Sequence, residues 1–84
     1  MSNLIVQKYG GTSLANTERF QAVADIIVAS IGSGDNVAVV VSAMAGETQR
    51  LIDLAKEIQS EPDPREFDAL VSSGEQVSAA LLAI

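Results

Sequence analysis

The chain has no cysteine, no histidine and no tryptophan, and only one tyrosine and two phenylalanines among its 84 residues. Without cysteine there is no disulfide framework, and with histidine absent too a zinc site is not expected. The same two absences exclude a Ser/His/Asp or Cys/His catalytic arrangement. Basic residues are also scarce, 5 Lys plus Arg against 11 Asp plus Glu, for a net charge of −6. With aromatics at 4%, neither a basic footprint nor a stacking platform is present for nucleic acid. No basic region followed by a long apolar run opens the chain, so no signal peptide is expected. No stretch approaches the ~20 apolar residues of a membrane span. The expectation is a soluble cytoplasmic protein, with neither nucleic acid nor membrane as partner.

What the chain does have is apolar surface. Hydrophobic residues make up 48% of it, with a mean hydropathy of +0.27. A single domain of this size buries only about 60% of the surface its unfolded chain exposes. Apolar area is therefore expected to remain for a partner or for further chain.

Residues 3–7, "NLIVQ", are a short run of β-formers and predict a buried strand. "KYGGTS" follows, and then a helix beginning near residue 16. Asn16 or Thr17 can cap it, and Glu18 suits the first turn. Phe20, Val23, Ala24, Ile27 and Ile31 fall on one face. Gly32 and Gly34 end the helix, since both tolerate a left-handed conformation. "VAVVVSA", residues 37–43, is continuously apolar, as in a parallel strand covered on both faces. A second glycine loop, "MAGET", leads into a helix with Leu51, Leu54, Ala55 and Ile58 on one side. The repeated strand–loop–helix unit predicts a parallel α/β sheet with a right-handed crossover.

After the turn "SEPDPR", residues 65–84 have helical period, with Phe67, Leu70, Val71, Val77, Leu81 and Ile84 near one stripe. "SSG", residues 72–74, is expected to break or kink that helix, because mid-helix glycine costs about 1 kcal/mol relative to alanine. "AALLAI" carries no terminal cap or charge. Two strands are also few for an independent sheet. The expectation is the front part of a larger α/β domain, cut inside a helix.

Ligands of open α/β sheets bind beyond the carboxyl ends of the strands, where both glycine loops fall. Gly10 and Gly11 would let backbone N–H groups approach an anion, with a helix N-terminus behind them. Lys8 supplies a mobile charge suited to a transferring phosphoryl group. The bland alternative for Lys8 is a solvated strand-end charge. In the second loop, the Ser42 and Thr48 hydroxyls can bond a carboxylate or phosphate; alternatively Thr48 or Gly46 only caps the helix. Met44 reads as core filler. Glu75 stands in an apolar segment, where an unpaired carboxylate is costly to bury. It can accept from a substrate ammonium, or it opens a helix under a Ser72 or Ser73 cap.

Taken together, "VQKYGGTSL", "VVVSAMAGETQRL" and "LVSSGEQVSAALLA" resemble, in order and separation, the start of the aspartate kinases, members of the amino-acid kinase family. The resemblance implies a partial three-layer α/β/α amino-acid kinase fold with parallel strands in the order βαβαα. Residues 1–84 would form the N-terminal part of the catalytic domain, without the regulatory ACT domains. It implies phosphoryl transfer from ATP, carried with Mg²⁺, to the side chain of L-aspartate, giving 4-phospho-L-aspartate for lysine, threonine and methionine synthesis. By the same resemblance Lys8 is catalytic, and Lys8, Tyr9, Gly10, Gly11 and Ser42 bind ATP. Gly46, Glu47, Thr48, Gln49, Arg50 and Glu75 contact aspartate, and no residue is implied as a metal ligand. The remaining catalytic half lies outside these residues, so the 84-residue chain alone is not expected to turn over. The competing readings are another amino-acid kinase and a non-catalytic module that self-associates through its apolar last helix.

Overall fold

The computed structural model describes residues 3–84. The chain runs through β1 (Leu4–Tyr9), a four-residue 3-10 turn (Gly11–Leu14), α1 (Thr17–Gly32), β2 (Asn36–Val41), α2 (Glu47–Ile58) and α3 (Pro64–Ala83). The strands pair in parallel, with Leu4 opposite Asn36 and Tyr9 opposite Val41, so the predicted α/β class and element order stand. β1 reaches two residues further than expected. Lys8 and Tyr9 are its last residues, paired with Val40 and Val41, and the loop begins at Gly10.

Both strands alternate between exposed and partly covered positions. Tyr9, Ile27, Val41, Met44 and Leu82 pack on the buried cluster of Leu14, Phe20 and Val23. α1 and α3 therefore cover the face carrying Gln7, Tyr9, Val39 and Val41. The other face leaves Leu4 and Val6 about two-thirds exposed and Val40 about half exposed. This corrects the reading of β2 as a strand covered on both faces. Its unbroken apolar run outlasts the cover these residues supply. The radius of gyration, 15.6 Å, exceeds the roughly 12 Å of a compact chain of this length.

α1 begins under Asn16, whose side-chain oxygen accepts from the Arg19 N–H at 2.9 Å. Phe20 and Val23 are buried and Ile27 joins them, while Ile31 is exposed. Of the two glycines expected to end α1, Gly34 takes a positive φ of +90° and Gly32 remains helical. α2 buries Leu51 and Ala55 and leaves Leu54 and Ile58 exposed.

α3 is continuous through residues 72–74, so of the expected break or kink the break does not occur. Asp63 caps it, accepting from the Arg65 and Glu66 N–H groups, with Pro64 in the first turn, where its missing N–H is not needed. Ser72 and Ser73 donate back to the Ala69 and Leu70 carbonyls and so cap nothing. The buried line down α3 passes through Gly74 and Ser78 to Leu82. Val77, Leu81 and Ile84 are exposed. A count of apolar side chains misplaces this stripe because its two most buried positions are the small residues.

Candidate functional site

Two loops meet at the carboxyl end of the sheet, with α3 packed against the second of them. A cleft of about 370 Å³ there is lined by Gly11, Ser42, Ala43, Met44, Ala45, Gly46, Thr48 and Gln49. Most of the lining residues are glycine, alanine or serine, and the turn from β2 to α2 is folded tightly against its neighbours. A Cβ built on Gly11 would lie 3.4 Å from Ala45 Cα and 3.5 Å from the Ala43 carbonyl oxygen. A Cβ on Gly74 of α3 would lie 3.2 Å from Ala43 Cβ. Segments distant in sequence thus touch through glycines.

The two helix starts behind these loops differ. At α2 the N-cap is Gly46, at φ +78°, and no side chain caps the helix. The Glu47 N–H reaches the Met44 carbonyl at 2.9 Å and the Gly46 carbonyl accepts from Arg50. The turn carrying Thr48 and Gln49 stays open toward the cleft. A helix end of this kind favours negative charge, through its free N–H groups and its dipole. At the first loop the 3-10 turn separates Gly10 from α1, and Asn16 closes the α1 end. The expected helix dipole directly behind Gly10 and Gly11 is therefore absent. The physical reason is that Asn16 uses the α1 N-terminus itself.

Of the residues singled out from the sequence, Gly11, Ser42, Gly46, Thr48 and Gln49 come together in the cleft lining. Gly46 also serves as the helix cap, as the alternative reading had it. Lys8 is exposed at the end of β1, on the sheet face opposite Tyr9. Tyr9 turns inward, and its hydroxyl donates to Gln7 Oε1 at 2.8 Å. Gln7 in turn donates to Ser30 Oγ at 3.0 Å, tying β1 to α1. Gly10 has open space where its Cβ would be. Glu47 and Arg50 form an ion pair across one turn of α2, with Arg50 Nε 3.0 Å from Glu47 Oε2. That hydrogen bond holds the Glu47 carboxyl below its ordinary pKa and raises that of Arg50. Glu75 is exposed on a continuous α3, so it opens no helix; the buried residue is its neighbour Gly74, which rests on the β2–α2 turn. The cleft residues missed from the sequence are Ala43, Met44 and Ala45. The alanines' signal was their place between Ser42 and Gly46, and Met44, read as core filler, does pack on the Leu14, Phe20 and Val23 cluster while also lining the cleft.

The profile of the amino acid kinase family matches residues 3–84. The chain belongs to this family. An aspartate kinase of Stutzerimonas stutzeri is 58% identical over 81 residues, covering 96% of this chain and 20% of that protein. An aspartokinase of Geobacillus stearothermophilus is 52% identical over 81 residues, again covering 96% of this chain and 20% of its own length. The crystal structure of an aspartate kinase from Synechocystis superposes with a TM-score of 0.92 at 54% identity, covering 95% of this chain and 14% of that one. The chain thus carries part of the amino acid kinase fold and spans about a fifth of the length of these curated relatives. Among the described residues no helix is long and apolar enough to cross a membrane.

A second concavity differs in chemistry. It measures about 290 Å³, lies between α1 and the end of α3, and is lined by Thr17, Phe20, Gln21, Ala24, Leu81, Leu82 and Ile84. Apart from Thr17 and Gln21 its lining is apolar.

Proposed function

We propose that these residues form the N-terminal part of an aspartate kinase catalytic domain and contribute to phosphoryl transfer from ATP to L-aspartate. The observation that carries this reading is the cleft lined by the first two of the three stretches, with an uncapped helix start on its wall and Gly74 of the third stretch packed behind it against Ala43. It is supported by identities of 52–58% to aspartate kinases over nearly the whole chain.

In the proposed reaction a side-chain carboxylate oxygen of aspartate attacks the γ-phosphorus of ATP. The bond from that phosphorus to the β–γ bridging oxygen breaks, its electron pair leaves with ADP, and 4-phospho-L-aspartate forms. The carboxylate is already ionised near pH 7, so no general base is required and histidine is not missed. What the chain supplies is position and charge. Lys8, on an exposed strand end, is the catalytic cation that offsets charge on the transferring group. Gly10, with nothing over it, offers backbone to the ATP phosphates, beside Tyr9 and Gly11; the Tyr9 phenol itself is committed to Gln7. Ser42 stands between nucleotide and aspartate, and residues 46–50 present an open helix end to an aspartate carboxylate. Glu75, on the exposed side of α3, faces the ammonium group.

Mg²⁺ would accompany ATP. No cluster of acidic side chains suited to a metal occurs among the described residues, and the cleft lining carries no carboxylate. These residues therefore do not fit a dedicated metal site, and no step is assigned to the ion. A cytoplasmic location and a place in amino-acid biosynthesis accompany this reading.

The test is to join this chain to the later four-fifths of the Stutzerimonas relative, in place of that protein's own first segment, and to follow aspartate-dependent ADP release. Turnover that disappears with Lys8→Ala is the expected result. A folded chimera without turnover, or one indifferent to Lys8, contradicts the proposal. A second reading, self-association, is favoured by the exposed Val77, Leu81 and Ile84 on α3. Sedimentation of the 84-residue chain checks it, with dimers expected and a monomer at high concentration opposing it.

A further inference from the structure

We propose that Gly74 is a positioning residue for the cleft, setting the geometry of the β2–α2 turn through the side chain it lacks. The proposal rests on the reading of that cleft as the substrate site. Gly74 is buried in the middle of α3, where its backbone is ordinary helix and needs no positive φ. Glycine is therefore not there for conformational freedom. Its special property at this point is the space beside it. A Cβ at residue 74 would come within 3.2 Å of Ala43 Cβ, 3.4 Å of Glu47 Cγ and 3.4 Å of Leu51 Cδ1.

These three contacts are not equivalent. Glu47 and Leu51 can rotate to give way. Ala43 has no side-chain torsion beyond its methyl group, so relief of its contact must come from the backbone of the turn. That backbone is also the wall of the cleft, and it touches Gly11 on another side. Gly32, by contrast, has nothing within 4 Å of the point where a Cβ would stand, and a methyl group there meets no neighbour.

Gly74→Ala should then move residues 42–47 by a few tenths of an ångström without unfolding the chain, and Ala43→Gly should undo the effect by removing the opposing methyl group. Backbone amide resonances of the ¹⁵N-labelled 84-residue chain, free of ligand, give the first readout. In Gly74→Ala the resonances of residues 42–47 should shift, in Gly32→Ala they should not, and in the Ala43→Gly/Gly74→Ala double variant they should return. In the chimera, Gly74→Ala should raise the KM for aspartate or lower kcat by about tenfold, since even small misplacements of reacting groups are costly. Its melting temperature should be nearly unchanged, and the double variant should recover activity.

Unmoved resonances in Gly74→Ala, or a double variant that recovers nothing, would overturn the inference. So would a Gly74→Ala chain that fails to fold and is not rescued by Ala43→Gly, since the contact with Ala43 would not then be what Gly74 serves. A chimera that is inactive with the native glycine counts against the proposed function alone, because the ligand-free resonances still decide the role of Gly74.

Discussion

After β1 the chain turns through a four-residue 3-10 segment and enters α1 beneath the side chain of Asn16. After β2 it turns through a left-handed Gly46 and enters α2 with no side-chain cap. The two junctions look alike in sequence, each a glycine-bearing loop between strand and helix. They end in opposite states: the first helix start is closed and serves the fold, and the second is open onto the cleft. The two glycines of the first junction also differ. Gly11 lies against the second loop, while Gly10 beside it has free space. A glycine loop after a strand does not by itself bring a helix dipole to an anion; that depends on whether the next helix end is already satisfied, and in the proposed function the first loop acts through its backbone and Lys8 instead.

Substitutions that damage one junction and spare the other sharpen this contrast. The largest effect should come from Leu14→Ala. Leu14 is fully buried beneath the first junction, and a deletion of this kind costs about 2–5 kcal/mol, read by chemical denaturation. Gly46→Ala should act at the second junction alone, because a left-handed backbone costs about 1–2 kcal/mol for a residue with a Cβ. Asn16→Ala should cost about 1 kcal/mol through loss of the α1 cap. The resonances of residues 46–49 should stay in place. If Asn16→Ala disturbs the second junction as much as the first, the two are not separate devices.

How much of this was legible beforehand depended on what each residue contributes. Asn16 as a cap and the face formed by Phe20 and Val23 could be read directly, because side-chain chemistry and spacing determine both. The parallel pairing followed from the repeated strand–helix unit. The continuity of α3 was not legible: glycine and two serines argue locally for a break, yet tertiary contact at Gly74 and serine back-bonding to Ala69 and Leu70 favour helix. The cleft was half legible. Ser42, Gly46 and Thr48 have recognisable chemistry, whereas Ala43 and Ala45 line the cleft with no polar group to announce them. Glu75 stands in an apolar segment yet is exposed, because the buried stripe of α3 passes through its small neighbour.

The smallest expected effect concerns pH. The bond from Arg50 lowers the pKa of Glu47 in the folded chain. Its contribution to stability is therefore present above the unfolded-state pKa and is lost as pH falls through the lower folded-state value. Glu47→Gln should flatten the acid limb of the stability profile slightly, as thermal unfolding across that range would show. An unchanged limb would mean the pair does not persist in solution.

The most direct test of the central contrast is a titration of L-aspartate, in the presence of Mg-ATP, into the ¹⁵N-labelled chain joined to the later part of the Stutzerimonas relative. The account predicts that amide resonances of residues 46–50 at the open α2 start move on adding aspartate, while those of residues 17–20 at the capped α1 start stay fixed. Movement at α1 with none at α2 would contradict it.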